Sequence, residues 1–312
     1  MSVGGERSTG AAAWWEAIRR DRKASVGVAI IGVFVVLGLI GPWLVGSADA
    51  LVGVPLMPPS LEHWLGTTGQ GQDVLAQTVV GTRVSLLIGF GVGAAVVLVG
   101  ALMGVTAGYF GGQVDGLLSL VFNVFLVLPG LPLAIVIAAY LPAGPGTVAF
   151  VLVITGWAWN ARVLRAQTLM LRQRDFIAAA VVSGESHLRI ITREILPNMT
   201  SLLVAQVIGS AVYAIGAQVG LEFLGLGDVS AVTWGTNLYW ATNDSALLTG
   251  AWWTFVPTGL CVALVGFGLV MLNSGFDEIT NPRLQLERAW RSWLLARHQP
   301  VTRSTPVVVT HE

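Results

Sequence analysis

The fold of this chain is decided by residues 84–110, which read VSLLIGFGVGAAVVLVGALMGVTAGYF and carry no charge. A helix rises about 1.5 Å per residue and the hydrocarbon core of a bilayer is about 30 Å thick, so about 20 apolar residues can cross it. The sequence therefore predicts that this stretch crosses a membrane as a single helix. Because the run is longer than the minimum, we expect the helix to be tilted.

Five further stretches have the same character, and together they predict an all-α polytopic membrane protein with six transmembrane helices. Four of them contain no charged residue, namely 26–46, 116–141, 199–221 and 254–276. The fifth, 147–161, reaches span length if Arg162 and Arg165 direct their charges toward the membrane surface. The composition agrees, since 54% of residues are hydrophobic and 11% are charged, against about a quarter charged in soluble domains.

The distribution of Lys and Arg predicts that both ends of the chain are cytoplasmic, because cytoplasmic loops are enriched in these residues. With the N-terminus inside, the cytoplasmic segments carry sixteen of the seventeen basic residues, and only Arg83 falls outside. The sequence thus divides into a leader (1–25) with an interfacial helix around Trp14 and Trp15, a six-span domain (26–280) and a cytoplasmic tail (281–312).

Three segments between the predicted spans have distinct compositions. The external segment 47–83 contains Pro55, Pro58 and Pro59, which disfavour regular structure. The external segment 222–253 is rich in Trp, which prefers the membrane interface, so we expect it to lie flat or dip back into the bilayer. The segment 166–197 is the large cytoplasmic loop. Within the third span, Pro129 and Pro132 predict a kink.

The sequence lacks the residues that would let this chain drive transport or catalysis by itself. A P-loop needs Gly-x4-Gly-Lys-Ser/Thr, and the chain's one lysine, Lys23, follows Asp21 and Arg22. Ion-coupled carriers usually place carboxylates or histidines within spans. The nearest candidate, Glu222, is expected at a solvated or capped helix end. We therefore predict no catalytic or metal site, and either passive transport or an energy source on a partner.

Residues 175–197 of the cytoplasmic loop predict two short helices separated by a sharp turn. Phe176, Ala179, Ala180 and Ser183 share one face of the first helix. Gly184 fits the left-handed position that ends a helix, and Ser186 is expected to cap the second helix through Glu194. Such a helix can insert into a groove of another protein or pack against the inner surface of its own chain.

This loop also carries a motif that identifies a family. The chain resembles the inner-membrane permease subunits of ABC importers, in particular the second permease of the oligopeptide/dipeptide family. Members carry Glu-Ala-Ala-x3-Gly-x9-Ile-x-Leu-Pro in a cytoplasmic loop that docks into the ATPase subunit. The matching residues here are Ala178-Ala179-Ala180, Gly184 and Ile195-Leu196-Pro197, the last group one position out from the simplest spacing. Ala178 stands in place of the glutamate, so the resemblance does not imply a salt bridge to the ATPase at this position, but it still implies the docking helix.

Further stretches resemble motifs of the same family, in the same order along the chain. They are His63–Leu75, Thr82–Leu86, Gly108–Asp115, Leu221–Gly235 and Asn281–Leu284. Three positions depart from the usual residues, since Gln72 replaces an arginine, Gln218 a glutamate and Glu222 a serine. The resemblance covers roughly residues 24–285.

The resemblance implies the type I ABC importer permease fold and a heteromeric importer. The chain would form half of a translocation pathway beside a homologous permease. ATPase subunits would bind ATP and Mg²⁺, and an extracytoplasmic solute-binding protein would deliver the solute. The implied coupling residues are Phe176, Ala178, Ala179, Ala180, Gly184 and Pro197. The residues predicted on the binding-protein side are Glu222, Gly225, Gly227, Thr233, Trp234 and Trp240.

The predicted pathway and cargo have alternatives. Asn123, Gln206 and Gln218 are candidates for polar lining of the pathway, with an interhelical hydrogen bond as the alternative role for each. Peptides are the expected cargo, while oligosaccharides and nickel chelates stay open, as does a stand-alone carrier or channel. The expected location is the cell membrane, with lipid as a partner. Nucleic acid is not expected, since the formal net charge is zero.

Overall fold

Helices form the regular structure of residues 21–280, the part of the chain that this computed structural model describes. In chain order they are α1 (Arg22–Leu44), α2 (Val74–Phe110), α3 (Gly112–Val127), α4 (Gly130–Ala139), α5 (Pro145–Arg172), α6 (Asp175–Val182), α7 (His187–Ile190), α8 (Leu196–Asn198), α9 (Thr200–Phe223), α10 (Trp234–Asn243), α11 (Ala246–Thr249) and α12 (Val256–Thr280). A π-helical turn, Ile191–Ile195, joins α7 to α8, and a 3₁₀ turn, Trp252–Thr254, precedes α12. The predicted leader helix, the tail and the Asn281–Leu284 motif lie outside the described residues.

Five helical segments of the described chain are long and apolar enough to cross a membrane. They are α1, α2, α5, α9 and Trp252–Phe276, which includes most of α12. The pair α3 and α4 also passes this test jointly, although the two helices are bent by 85°. Counting the bent pair as one crossing gives the six spans that the sequence predicts. The all-α fold of a polytopic membrane protein is confirmed.

Helix α2 is a single helix that extends well beyond the apolar run from which it was predicted. Its 37 residues correspond to about 55 Å at 1.5 Å per residue, more than a bilayer core requires. It begins within the segment 47–83, where the Asp73 carboxylate accepts a hydrogen bond from the Ala76 N–H at 3.0 Å and caps the helix. The end of that segment and the second span therefore form one continuous helix.

The third span is broken, and not merely kinked as the sequence predicts. Leu128 has an extended backbone (ψ 134°), which is the conformation that a following proline favours. Pro129 then precedes α4, and Pro132 lies in its first turn, where a missing N–H leaves no helical hydrogen bond unmade. Two prolines three residues apart thus end one helix and start another.

Glycines on α2 allow it to pack closely against its neighbours α5 and α9. A Cβ on Gly93 would lie 2.9 Å from the Ala211 backbone nitrogen in α9. A Cβ on Gly104 would collide with the Ala161 carbonyl oxygen in α5. Small residues at such contacts are a general device for packing helices within membranes. Gly89, where a Cβ would collide with Ile215, and Gly93 therefore belong to a helix-packing surface of α2.

Candidate functional site

The loop predicted to be cytoplasmic, residues 166–197, is organised around α6, which has one buried and one uncovered face. Ile177 is 2% exposed and belongs to an apolar cluster whose other buried members are Val105, Tyr109, Leu164, Ile190, Ile195 and Met199. Phe176 is 40% exposed and Val182 is 88% exposed. The sequence left open whether this helix packs on its own chain or fits a groove elsewhere. In the structure Ile177 packs on its own chain, and the exposed Phe176 face is left available for a groove on another protein.

The three alanines of the motif follow the same division. Ala178 and Ala179 are exposed, while Ala180 is half-buried and packs against the apolar cluster of Ile177. Ala178 is the position where the family has glutamate. Its methyl group is therefore part of the uncovered surface of α6 and contributes no charge there.

Gly184 ends α6 in the way that the sequence predicts. Its φ angle is +75°, a left-handed conformation that glycine adopts without steric cost. The Gly184 N–H donates to the Val181 carbonyl at 3.0 Å, and the Glu185 N–H donates to the Ala180 carbonyl at 3.2 Å. This pair of bonds is a Schellman motif, and it turns the chain sharply back toward the bundle.

Beyond the turn, two details differ from the prediction. Ser186 occupies the predicted cap position of α7, but its side chain makes no capping hydrogen bond there. The second helix that was predicted to run through Glu194 is interrupted, because a π-helical turn, Ile191–Ile195, follows α7 and leads into α8, where Pro197 is exposed. The next span begins at Thr200, one residue after the predicted start at 199.

The loop also contacts the turn between α2 and α3 through an aromatic pair. The Tyr109 hydroxyl lies 2.9 Å from Nδ1 of His187, and the Phe110 ring packs edge-on against the imidazole at 5.6 Å. His187 begins α7, so this contact joins the loop to the C-terminal end of α2. Sequence analysis singled out the Gly108–Asp115 turn but not its partner His187.

An ion pair ties α3 to α5 near the same end of the molecule. The Arg165 guanidinium donates to both carboxylate oxygens of Asp115, through Nε at 2.5 Å and an Nη at 2.6 Å. Ser119 donates a further hydrogen bond to Asp115 at 2.9 Å. Bidentate pairs of this kind fix orientation as well as distance. The loop and the broken third span are therefore attached to the same stretch of α5.

On the opposite side, the external motif surrounds a buried carboxylate. Glu222, at the end of α9, is 2% exposed, so of the two settings that were expected, a solvated or a capped helix end, the solvated one is wrong. Its carboxylate accepts hydrogen bonds from the Thr233 hydroxyl at 2.5 Å and from the Gln218 amide at 3.1 Å. A Cβ on Gly235 would lie 2.5 Å from the Glu222 side chain. Only glycine fits there, which explains part of the Thr-Trp-Gly sequence.

Trp234 is a core residue and not an interfacial one. It is fully buried, donates its indole N–H to the Thr78 carbonyl at 3.3 Å and meets Phe34 edge to face at 6.1 Å. The prediction that it faces the binding-protein side is therefore not supported, and the same holds for buried Thr233. Helix α10 is bound into the bundle between α2, α9 and α12.

Of the six residues predicted on the binding-protein side, Gly225 and Trp240 are partly accessible and the other four are buried. Trp240 is half-buried, and its indole N–H donates to the Val229 carbonyl at 2.8 Å. Gly225 is half-buried with φ +76°, while Gly227 is buried. Trp240 borders an external cleft of about 370 Å³ whose polar lining comes from Asp49, Gln70, Gln72, Gln77, Ser230 and Asn237.

A second cleft, here called the central cleft, lies where the third span is broken. Its volume is about 480 Å³ and it is bounded by α2, α3, α4, α5 and α9. The lining residues include Phe125, Trp159, Asn160, Gln206, Ser210 and Tyr213. The Asn160 amide donates to the Ser210 hydroxyl at 3.1 Å. Because α4 turns away after Pro129, the middle of α5 and α9 is left open at this point.

The three residues predicted to line a pathway have separate locations. Gln206 lines the central cleft. Asn123 is exposed on α3 and is not part of that lining. Gln218 is fully buried against Glu222, which does not support a lining role and fits the hydrogen-bonding alternative. Sequence analysis missed Asn160, Ser210 and Tyr213, for which the only signal was their place in a span beside the proline-broken helix.

Comparison with known proteins identifies the family. Residues 96–284 match the family described as "Binding-protein-dependent transport system inner membrane component". The chain belongs to this family. The matched range contains the central cleft, the cytoplasmic loop and the external motif, which are the three regions described above.

Similar proteins carry printed names from peptide transport. The dipeptide transport system permease protein DppC of Bacillus subtilis is 31% identical over 278 residues, covering 87% of this chain and 85% of that protein. The oligopeptide transport system permease protein OppC of Mycobacterium bovis is 35% identical over 262 residues, covering 80% and 89%. OppC of Bacillus subtilis is 30% identical over 281 residues, covering 87% and 90%. These alignments extend the similarity beyond the residues that the family model matches.

Proposed function

We propose that this chain is the permease subunit of a binding-protein-dependent ABC importer for oligopeptides or dipeptides, and that it forms half of the translocation pathway. The coupling part of this proposal rests on one observation about α6. This short apolar helix leaves its Phe176 face exposed, on the side of the molecule opposite to the external motif. A chain with no nucleotide-binding sequence of its own needs such a contact to receive energy from a partner.

The partners follow from the family and from the charge distribution. An ABC ATPase that binds ATP and Mg²⁺ would contact α6, a homologous permease would cover the open side of the central cleft, and an extracytoplasmic solute-binding protein would approach the external segment. This arrangement places both termini in the cytoplasm, which agrees with the excess of Lys and Arg in the segments assigned there. The chain would have no enzymatic activity of its own.

The peptide cargo is supported by the printed names of the relatives. Proteins named as dipeptide and oligopeptide permeases align with 80–90% of this chain. The central cleft supports the same cargo because its lining combines amide, hydroxyl and aromatic side chains. These side chains can contact a peptide through hydrogen bonds and apolar packing, without a bound metal or a fixed charge.

The geometry indicates how motion of an ATPase would reach the spans. The Gly184 turn and Ile177 fasten α6 to a cluster that includes Leu164 of α5 and Met199 next to α9. Both of those helices line the central cleft. A displacement of α6 would therefore be transmitted to two walls of the pathway, since packed side chains move together.

The proposed coupling is tested by replacing Gly184 with valine in the reconstituted importer. Valine at φ +75° is strained, so the turn should open and α6 should lose its orientation. We expect ATP-dependent peptide uptake into proteoliposomes to be abolished while the complex still assembles. The matched control is Gly116→Val, because a Cβ at Gly116 meets nothing within 4 Å.

Two results would contradict the proposal. Uptake by Gly184→Val equal to that of Gly116→Val would show that α6 does not couple ATP hydrolysis to transport. Peptide uptake by the unmodified complex that survives depletion of ATP would instead indicate a stand-alone carrier.

A further inference from the structure

The central cleft provides hydrogen-bonding side chains but no charged ones. No Asp, Glu, Lys, Arg or His is among its lining residues. Asn160 is buried and its amide is held by Ser210. By contrast, Gln206 and Tyr213 make no side-chain hydrogen bond with any partner in residues 21–280. Their amide and hydroxyl groups are therefore available to a solute in the cleft.

The space beside these groups suits a chain of small polar units. The cleft volume of about 480 Å³ lies within the range of about 300–1,000 Å³ for sites that hold small molecules. Two glycines help to keep it open, since a Cβ on Gly209 would meet nothing within 4 Å and one on Gly130 would approach the Tyr213 hydroxyl at 3.6 Å. Phe125 and Trp159 supply flat apolar walls.

We propose that Gln206 and Tyr213 contact the main chain of a passing peptide, and that this half of the pathway does not discriminate between acidic and basic side chains. The inference rests on the proposed function. Each peptide unit presents one N–H donor and one carbonyl acceptor, and a glutamine amide offers both complementary groups. A lining without charge exerts no attraction or repulsion that depends on the sign of a peptide's side chains.

The decisive variants change the charge or the polarity of Gln206 alone. Gln206→Leu removes the hydrogen-bonding group, so uptake of a neutral, an acidic and a basic dipeptide should fall by the same factor. Gln206→Glu introduces a negative charge of nearly the same shape. It should shift the ratio of basic to acidic uptake by about tenfold toward the basic peptide, which corresponds to about 1.4 kcal/mol. Uptake is measured in proteoliposomes that contain the complete complex.

The matched control is Gln113→Glu, which adds the same charge at an exposed position on α3 outside the cleft. Each variant is compared with the unmodified complex using the same binding protein, so that the preference of the binding protein cancels. The inference is overturned if Gln206→Glu gives the same ratio as Gln113→Glu, or if Gln206→Leu reduces uptake of one charge class only. Failure of the unmodified complex to import any of the three peptides would instead refute the proposed function.

Discussion

The cytoplasmic loop 166–197 and the external segment 222–253 each carry a motif of the family, and the structure places their motif residues in opposite environments. In the loop, Phe176 and Ala178 are exposed. In the external segment, Glu222, Thr233 and Trp234 are buried. Both segments were predicted to meet other proteins, but only the loop presents its motif to the outside.

This difference shows that a family motif does not by itself indicate whether its residues contact another protein or pack within their own chain. In the loop, the glycine turn orients an uncovered helix, so the motif serves a contact with another molecule. In the external segment, Gly235 and Thr233 close around Glu222, so the motif serves the chain's own packing. Substitutions in the external motif should therefore act on folding, whereas those in the loop should act on transport.

The largest effect is expected from Trp234→Ala in the external segment. Removing a fully buried Trp typically lowers the free energy of unfolding by about 3–5 kcal/mol, and here it also removes the hydrogen bond to the Thr78 carbonyl. We expect a large drop in the thermal unfolding midpoint of the purified protein in detergent. The matched control is Trp252→Ala, because Trp252 is about half exposed. Equal midpoints for the two variants would show that Trp234 is not a core residue.

The second prediction concerns the two faces of α6. Ile177 anchors the loop on one face, and Phe176 is exposed on the other. Ile177→Ala should lower the free energy of unfolding by about 2–5 kcal/mol, the usual range for a buried isoleucine. Phe176→Ala, one residue earlier, should lower it by only about 1 kcal/mol yet should reduce ATP-dependent uptake strongly. Both properties are measured on the same purified complexes. A Phe176→Ala complex with normal uptake would show that the exposed face of α6 is not the coupling contact.

Much of the fold could be predicted because apolar runs and charge counts report directly on membrane crossing. The span at Val84–Phe110, the turn at Gly184 and the interruption near Pro129 were all readable from local sequence. The prolines predicted a kink, but the size of the bend depends on how α4 packs against α5. That contact depends on side-chain packing between two consecutive helices, with Ala134 and Ala138 against residues such as Val148 and Leu152, and local sequence patterns do not specify it.

The candidate site was less predictable for the same reason. Trp at the end of a span is typical of a membrane interface, yet Trp234 is buried because α10 packs into the bundle between other helices. Gln206 and Gln218 were both candidates for polar lining, with an interhelical hydrogen bond as the alternative for each. In the structure Gln206 lines the central cleft, whereas Gln218 is bound to Glu222. Two similar glutamines on one helix differ only in what faces them, which requires the packing of the other helices.

The smallest effect is expected from a variant that tests whether a contact other than that of Ile177 holds the loop on the helix bundle. Tyr109→Phe removes the hydroxyl that meets His187 at 2.9 Å. Losing one such bond costs about 1 kcal/mol, too little to unfold the chain but enough to loosen α7. We expect faster hydrogen exchange of the amides in His187–Ile195 and no change in the external segment. Tyr140→Phe is the control, since Tyr140 is 87% exposed. Exchange in α7 equal to that of the control would show that the loop is held by the apolar cluster of Ile177 alone.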